Sequence, residues 1–371
     1  MEQNTELLKD FLRFAISNKC SDIFIDEDKK GSVRLKRETY RDATPDIITK
    51  EMILEFFREN NILLYEDIIK MLDDPHIEAV DAAFNFEGRR FRANICMAQK
   101  KLCCVFRLLN AKVPDISRIN MPASLKNLGE LDNGLVLVVG ETGSGKTMTL
   151  AALIEYINER KKKNIITIED PIEYVYTPKQ ARIVQREVGV DTPSFSDAIK
   201  SALRSAPDIC LVGEMRDLST IESAIQLAET GHLVFATLHS KSCADTPDRI
   251  VDVFPADKQQ QVRVELAGVL RAVIHQKLVK NFKGDIVPLA EILILNPVLA
   301  TCIKDPTKWR SSDVKDHMRA NIKSGNMHII DNAYWHYQHN RLDAEDIKEH
   351  LDARDAANLL DIINKQNKAS V

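Results

Sequence analysis

Apolar positions follow one rhythm in the first third of this chain and another after it. Residues 5–18 carry Leu8, Phe11, Leu12 and Ala15 at helical spacing and predict an amphipathic helix. "SDIFID" and "GSVRLKR" alternate as strands, and "KEMILEFFRENN" repeats the helical pattern. "AVDAAFNFEGRRFRANICMA" reads as a hairpin turning near Gly88, and "KLCCVFRLL" as a further strand. Residues 1–109 therefore predict an α+β domain. Residues 110–122, "NAKVPDISRINMP", hold two prolines and no clear period, and predict a linker.

Beyond it, "GLVLVVG", "NIITIED", "DICLVGE" and "HLVFATL" are short, nearly continuous apolar runs separated by helical stretches. Strands buried on both faces of a parallel sheet read this way, so residues 123–371 predict an α/β domain with a mostly parallel sheet. "LSTIESAIQLAETG" predicts a helix with Ser219 and Glu222 as a capping box and Gly231 at its end. From about Pro255 the pattern predicts mostly helices.

Composition narrows the function. The 371 residues leave room for two domains, and 44% apolar content is that of an ordinary globular protein. Lys and Arg number 51 against 55 Asp and Glu, a net charge of -4, which argues against a nucleic-acid partner. No apolar run approaches the roughly 18 residues of a membrane helix. The polar, acidic start "MEQNTELLKD" lacks a secretory pattern, so a cytoplasmic chain is expected. Seven cysteines form no C-x-x-C pair, so neither zinc nor a redox motif is expected. "ERKKKN" is read as a solvated turn, with a docking patch for acidic lipid heads as the alternative.

One stretch carries specific chemistry. Residues 140–147, "GETGSGKT", fit G-x-x-x-x-G-K-[ST] in full, between a strand and a helix. Backbone N–H groups around Gly140, Thr142, Gly143, Ser144 and Gly145 converge on an anion, and the helix start adds partial positive charge. Lys146 reaches the β- and γ-phosphates of ATP, Thr147 holds Mg²⁺, and Met148 follows them at the nucleotide. Hydrolysis also needs carboxylates. Glu169 and Asp170 end one apolar run and Glu214 another, where ligands of parallel sheets bind. His239 ends a third run, at the edge where it can sense a γ-phosphate, whereas His232 begins that run.

Four blocks, "GETGSGKT", "TIEDPIEY", "QREVGVDTPSFSDAIKSALRSAPDICLVGEMRD" and "AETGHLVFATLHS", resemble the Walker A, Asp, Walker B and His boxes of the secretion ATPases. That family serves type IV pilus and type II secretion systems, and the retraction, or twitching-motility, branch is the most similar. The resemblance runs from about "SDIFI" to "DAANLL". It implies a homohexameric ring, with a PAS-like N-terminal domain and a RecA-like P-loop ATPase domain in each subunit. It also implies an inner-membrane platform protein as partner, and a chain peripheral at the inner face of the cytoplasmic membrane with no span of its own.

Matched by position, the resemblance makes Arg90, Arg92, Arg107 and Arg204 candidates to reach nucleotide phosphates, from the N-terminal domain or a neighbouring subunit. A guanidinium there stabilises charge on the transferring phosphoryl group. Glu214 is favoured for Mg²⁺ and water organisation and Glu169 for the general base. The sequence leaves an exchange of these roles open.

The chain also departs from the family pattern. Glu141 replaces a proline in the glycine-rich turn, Phe24 a histidine and Lys200 a frequent arginine. Ala300 replaces the arginine of a segment associated with retraction, and an insertion follows at 306–318. The missing tetracysteine motif favours the retraction branch, and Ala300 speaks against it. The function implied is an ATP-driven motor of pilus retraction, the alternative being a pilus-assembly or type II secretion ATPase.

Overall fold

Two sheets organise the chain, each shaped by the cover its strands find. The computed structural model describes residues 3–35, 38–109 and 112–369. The end of the "GSVRLKR" strand (36–37) and the start of the linker (110–111) lie outside the described residues. The chain divides into two compact units, Met1–Lys112 and Val113–Val371.

In the first unit, α1 (Gln3–Ser17) buries Leu8, Phe11, Leu12 and Ala15. Strands β1 (Asp22–Asp26), β2 (Ser32–Leu35) and β3 (Glu38–Tyr40) follow. Next come α2 (Lys50–Asn60) and α3 (Ile62–Asp73). Asn61 ends α2 and begins α3, its side chain accepting from Leu64 N–H, so one residue separates two helices where one was expected. Strands β4 (Ala79–Phe86), β5 (Arg89–Ala98) and β6 (Lys101–Leu108) complete an antiparallel sheet in the order β3-β2-β1-β6-β5-β4. Glu87 and Gly88, both at positive φ, turn β4 into β5. One face carries Phe84, Phe91 and Phe106; Phe84 stacks on Phe91 and meets Phe106 and, from α2, Phe56 and Phe57 edge-on, and Phe106 meets Phe57 edge-on. The side chains between them point to the other face.

The second unit opens with 113–122, whose Val113, Ile116, Ile119 and Met121 pack on its core. It continues through α4 (Leu125–Leu128), β7 (Gly134–Val139), α5 (Lys146–Arg160), β8 (Asn164–Glu169) and β9 (Arg182–Glu187). Then come α6 (Phe195–Ala202), β10 (Ile209–Val212), α7 (Leu218–Glu229), β11 (Leu233–Leu238), α8 (Thr246–Val251) and α9 (Ala256–Val269). The cap of α7 differs from expectation. Asp217, not Ser219, accepts the Thr220 N–H (2.9 Å), because Asp217 is the extended residue before the first turn.

The region after Pro255 is mostly helical, as expected, but it also holds two strands that were not expected. It supplies β12 (Leu270–Lys280) and β13 (Ile286–Ile294) before α10 (Pro297–Lys304). Both strands are largely buried, and the buried polar His275, Gln276 and Glu291 interrupt the apolar runs that mark such strands in sequence. Helices α11 (Ser311–Ala320), α12 (Ile329–Gln338), α13 (Ala344–His350) and α14 (Ala353–Ala369) end the chain. The sheet order is β13-β12-β7-β11-β10-β8-β9, parallel except for β13. Every residue of β7, β10 and β11 is buried. Only the strand ends are left for chemistry.

Candidate nucleotide site

Register brings the strand ends together. Val139 of β7 pairs with Leu238 of β11, and Val212 of β10 with Ala236 of β11 and Ile168 of β8. Gly140, His239, Glu214 and Glu169 therefore emerge along one edge of the sheet. Residues 140–147 wrap that edge. Gly140 has φ 146°, and a Cβ there would lie 2.3 Å from the Gln276 carbonyl oxygen, so only glycine fits. Gly145, at φ 88°, forms the left-handed cap that starts α5 at Lys146.

Gln276 of β12 holds the turn from beneath. Its Nε2 donates to Ser144 O (2.6 Å), and its Oε1 accepts from Thr149 Oγ1 (2.7 Å). Sequence reading missed this residue, since nothing local links it to a turn far earlier in the chain. Lys146 Nζ folds onto the turn and donates to the carbonyls of Gly140 and Glu141, each at 2.9 Å. Burial lowers its ammonium pKa, and the charge of Glu214 opposes this. Ser144 is buried, with Oγ lacking a partner among the described residues. Thr142, Gly143 and Met148 are exposed and Thr147 half-buried.

Glu214 stands between Arg216 and His239. Arg216 Nη2 lies 2.7 Å from Oε2 and His239 Nε2 3.0 Å from Oε1. Burial raises the Glu214 carboxyl, but the Arg216 hydrogen bond and the charges of Arg216, His239 and Lys146 outweigh it, and the pKa falls. Oε1 is buried and lacks an aligned hydrogen bond. An ionised carboxylate with an oxygen that makes no aligned hydrogen bond is chemically suited to a divalent cation. Arg216 was missed, although it stands two residues after Glu214.

Glu169 is the contrasting acid. It is 7% exposed and accepts from Thr167 Oγ1 (2.6 Å) and Gln185 Nε2 (3.1 Å). Burial dominates these bonds, and its carboxyl is pushed up to about 7. An acid poised there takes up or releases a proton near neutral pH. Beside the turn, a cavity of about 540 Å³ is lined by Gly140, Glu141, His239, Lys241, Asp245 and Arg249 among others.

The arginines lie elsewhere. Arg92 and Arg107 face each other across β5 and β6, and Arg107 pairs with Asp22 of β1, which pairs with Arg34 of β2. One row of the first unit's sheet thus holds Arg34, the buried Asp22, and the exposed Arg107 and Arg92. Arg107 Nε bonds the buried Asp22 carboxylate at 2.9 Å. Arg90 sits two residues from Arg92 and shares its face. Arg204 is exposed just before β10, at the edge opposite the glycine-rich turn, so it cannot reach the nucleotide of its own unit. His232 bonds Leu227 O and Thr230 Oγ1 at the start of β11, a structural place. In "ERKKKN", Lys161 reaches Glu130 and Lys163 reaches Asp208.

Known proteins with this arrangement are close at hand. The type IV pilus retraction ATPase PilT of Pseudomonas aeruginosa is 39% identical over 301 residues, 80% of this chain and 85% of that protein. The twitching motility protein of Neisseria gonorrhoeae is 47% identical over 228 residues, 61% of each chain. The crystal structure of the pilus retraction motor PilT with bound ADP superposes with a TM-score of 0.81 at 36% identity, covering 91% of this chain and 95% of that one. The signature of the type II/IV secretion system proteins matches residues 2–285, and the chain belongs to that family.

Proposed function

We propose that the chain is an ATP-hydrolysing motor of type IV pilus retraction. The observation that carries this is one sheet edge holding the glycine-rich turn, Lys146, the ionised Glu214 and His239. The retraction ATPase and twitching motility relatives support the direction. Mg²⁺, held by Thr147 and Glu214, would neutralise phosphate charge. Lys146 leaves its loop carbonyls for the β- and γ-phosphates, and Glu169 accepts the proton of the attacking water as ADP departs.

The first unit is read as PAS-like and the second as RecA-like, six copies forming a ring. Arg92 and Arg107, with Arg90, approach the nucleotide from a first unit. Arg204 acts, if at all, on a neighbouring copy's nucleotide. Closure on ATP and reopening on product release drive an inner-membrane platform protein from its cytoplasmic side. Among the described residues no helix is long and apolar enough to cross a membrane.

Ala300, half-buried on α10 where the retraction segment carries arginine, supports a second reading, assembly or secretion in the opposite direction. Deleting the gene in its host and counting surface pili decides between them. Excess pili with lost motility means retraction, and absent pili means assembly. ATP turnover by the purified chain that disappears in Lys146→Ala tests the motor itself.

A further inference from the structure

The loop from His239 to α8 is fastened from outside at two consecutive residues. Cys243 N–H donates to Oε1 of the buried Glu291 (2.8 Å), and its thiol donates to Val273 O (3.2 Å). Ala244 O then accepts the indole N–H of Trp309 at 2.7 Å, with both residues buried. Trp309 belongs to the 306–318 stretch that stands outside the family pattern. That stretch is anchored in turn. Val314 and Met318 of α11 enter the same core as Cys243 and Ala244, and Lys315 bridges Asp352 and Asp355.

A buried carbonyl opposite a single indole donor is costly to leave unpaired, so this bond fixes the loop backbone. The first residue of the loop is His239, which faces Glu214 at ion-pair distance without an aligned hydrogen bond. A small displacement of the loop is enough to make or lose that contact.

We propose that Trp309 is a positioning residue for ATP hydrolysis, its indole N–H setting the loop through Ala244 so that His239 stands against Glu214. The proposal rests on the reading of this edge as an ATPase site. Trp309 is joined to that site through the loop. It works through a backbone bond, which a residue of equal bulk lacking the donor would not make.

Trp309→Phe in the full chain tests this, alongside a benzothiophene analogue of tryptophan at 309, which keeps the bicyclic shape and lacks only the N–H. The expected result is a kcat lower by about three- to tenfold in both. KM for ATP and the affinity for a fluorescent ADP analogue stay unchanged. Added to His239→Ala, Trp309→Phe causes no further loss, because both act through one contact. A wild-type kcat in the benzothiophene protein overturns the proposal. So does a full additional loss on top of His239→Ala, or a fall in nucleotide affinity equal to the fall in kcat. If the wild-type chain binds ATP and turns none over, the ATPase reading fails first and the proposal with it, an outcome read without any variant.

Discussion

The two sheets of this chain solve burial differently, and their chemistry follows. In the parallel sheet, β7, β10 and β11 are covered on both faces, so reactive groups are confined to strand ends. In the antiparallel sheet of the first unit, buried and open positions alternate along β5 and β6, and a whole face is free for charge. The first arrangement gathers residues far apart in sequence onto one edge. The second lines up Arg34, Asp22, Arg107 and Arg92 across four strands. An edge can build a pocket, whereas a flat charged face can only be offered to something else.

That contrast predicts graded effects. The largest is at the turn. Lys146→Ala should abolish ATP and ADP binding in a fluorescence titration, and unchanged affinity would dissolve the distinction between edge and face. Glu214→Gln should keep nucleotide binding while turnover falls about a hundredfold or more. Wild-type turnover in that variant moves the chemistry off this edge.

On the face, Arg107→Ala should cut hydrolysis about tenfold and leave the first unit folded. Its side chain is 62% exposed while Asp22 is buried, and Arg34 remains 3.5 Å from Asp22 when Arg107 is removed. Intact hydrolysis would make the arginine row structural only. A lost thermal transition would mean that Asp22 needs it.

The last effect is on stability rather than turnover, and concerns Glu169 and pH. Its folded pKa is raised from 4.5 to about 7, so the folded state keeps a proton that the unfolded chain releases. The stability this gives is present below pH 4.5 and is lost as pH rises towards 7. Glu169→Gln should flatten that decline and be more stable than wild type above pH 7, by about 3 kcal/mol at most. Parallel pH profiles of thermal unfolding in the two proteins would show that Glu169 is not the buried acid described here.

The sequence itself determined what depends on neighbouring residues. The glycine-rich turn, the helix that starts at Lys146 and the apolar strands around it are local, because their backbone angles and burial are set by adjacent side chains. Glu169 and Glu214 could be placed at strand ends for the same reason. Tertiary structure decided the rest. Gln276 beneath the turn, His239 against Glu214 and Trp309 on Ala244 join segments that only strand register and core packing bring together. The same holds for the opposite pKa shifts of the two acids. Both are glutamates after apolar runs, and what separates them is three-dimensional: Arg216, His239 and Lys146 surround one, and burial dominates the other. The strands β12 and β13 escaped the sequence reading because the buried polar residues His275, Gln276 and Glu291 interrupt the apolar runs by which β7, β10 and β11 were recognised.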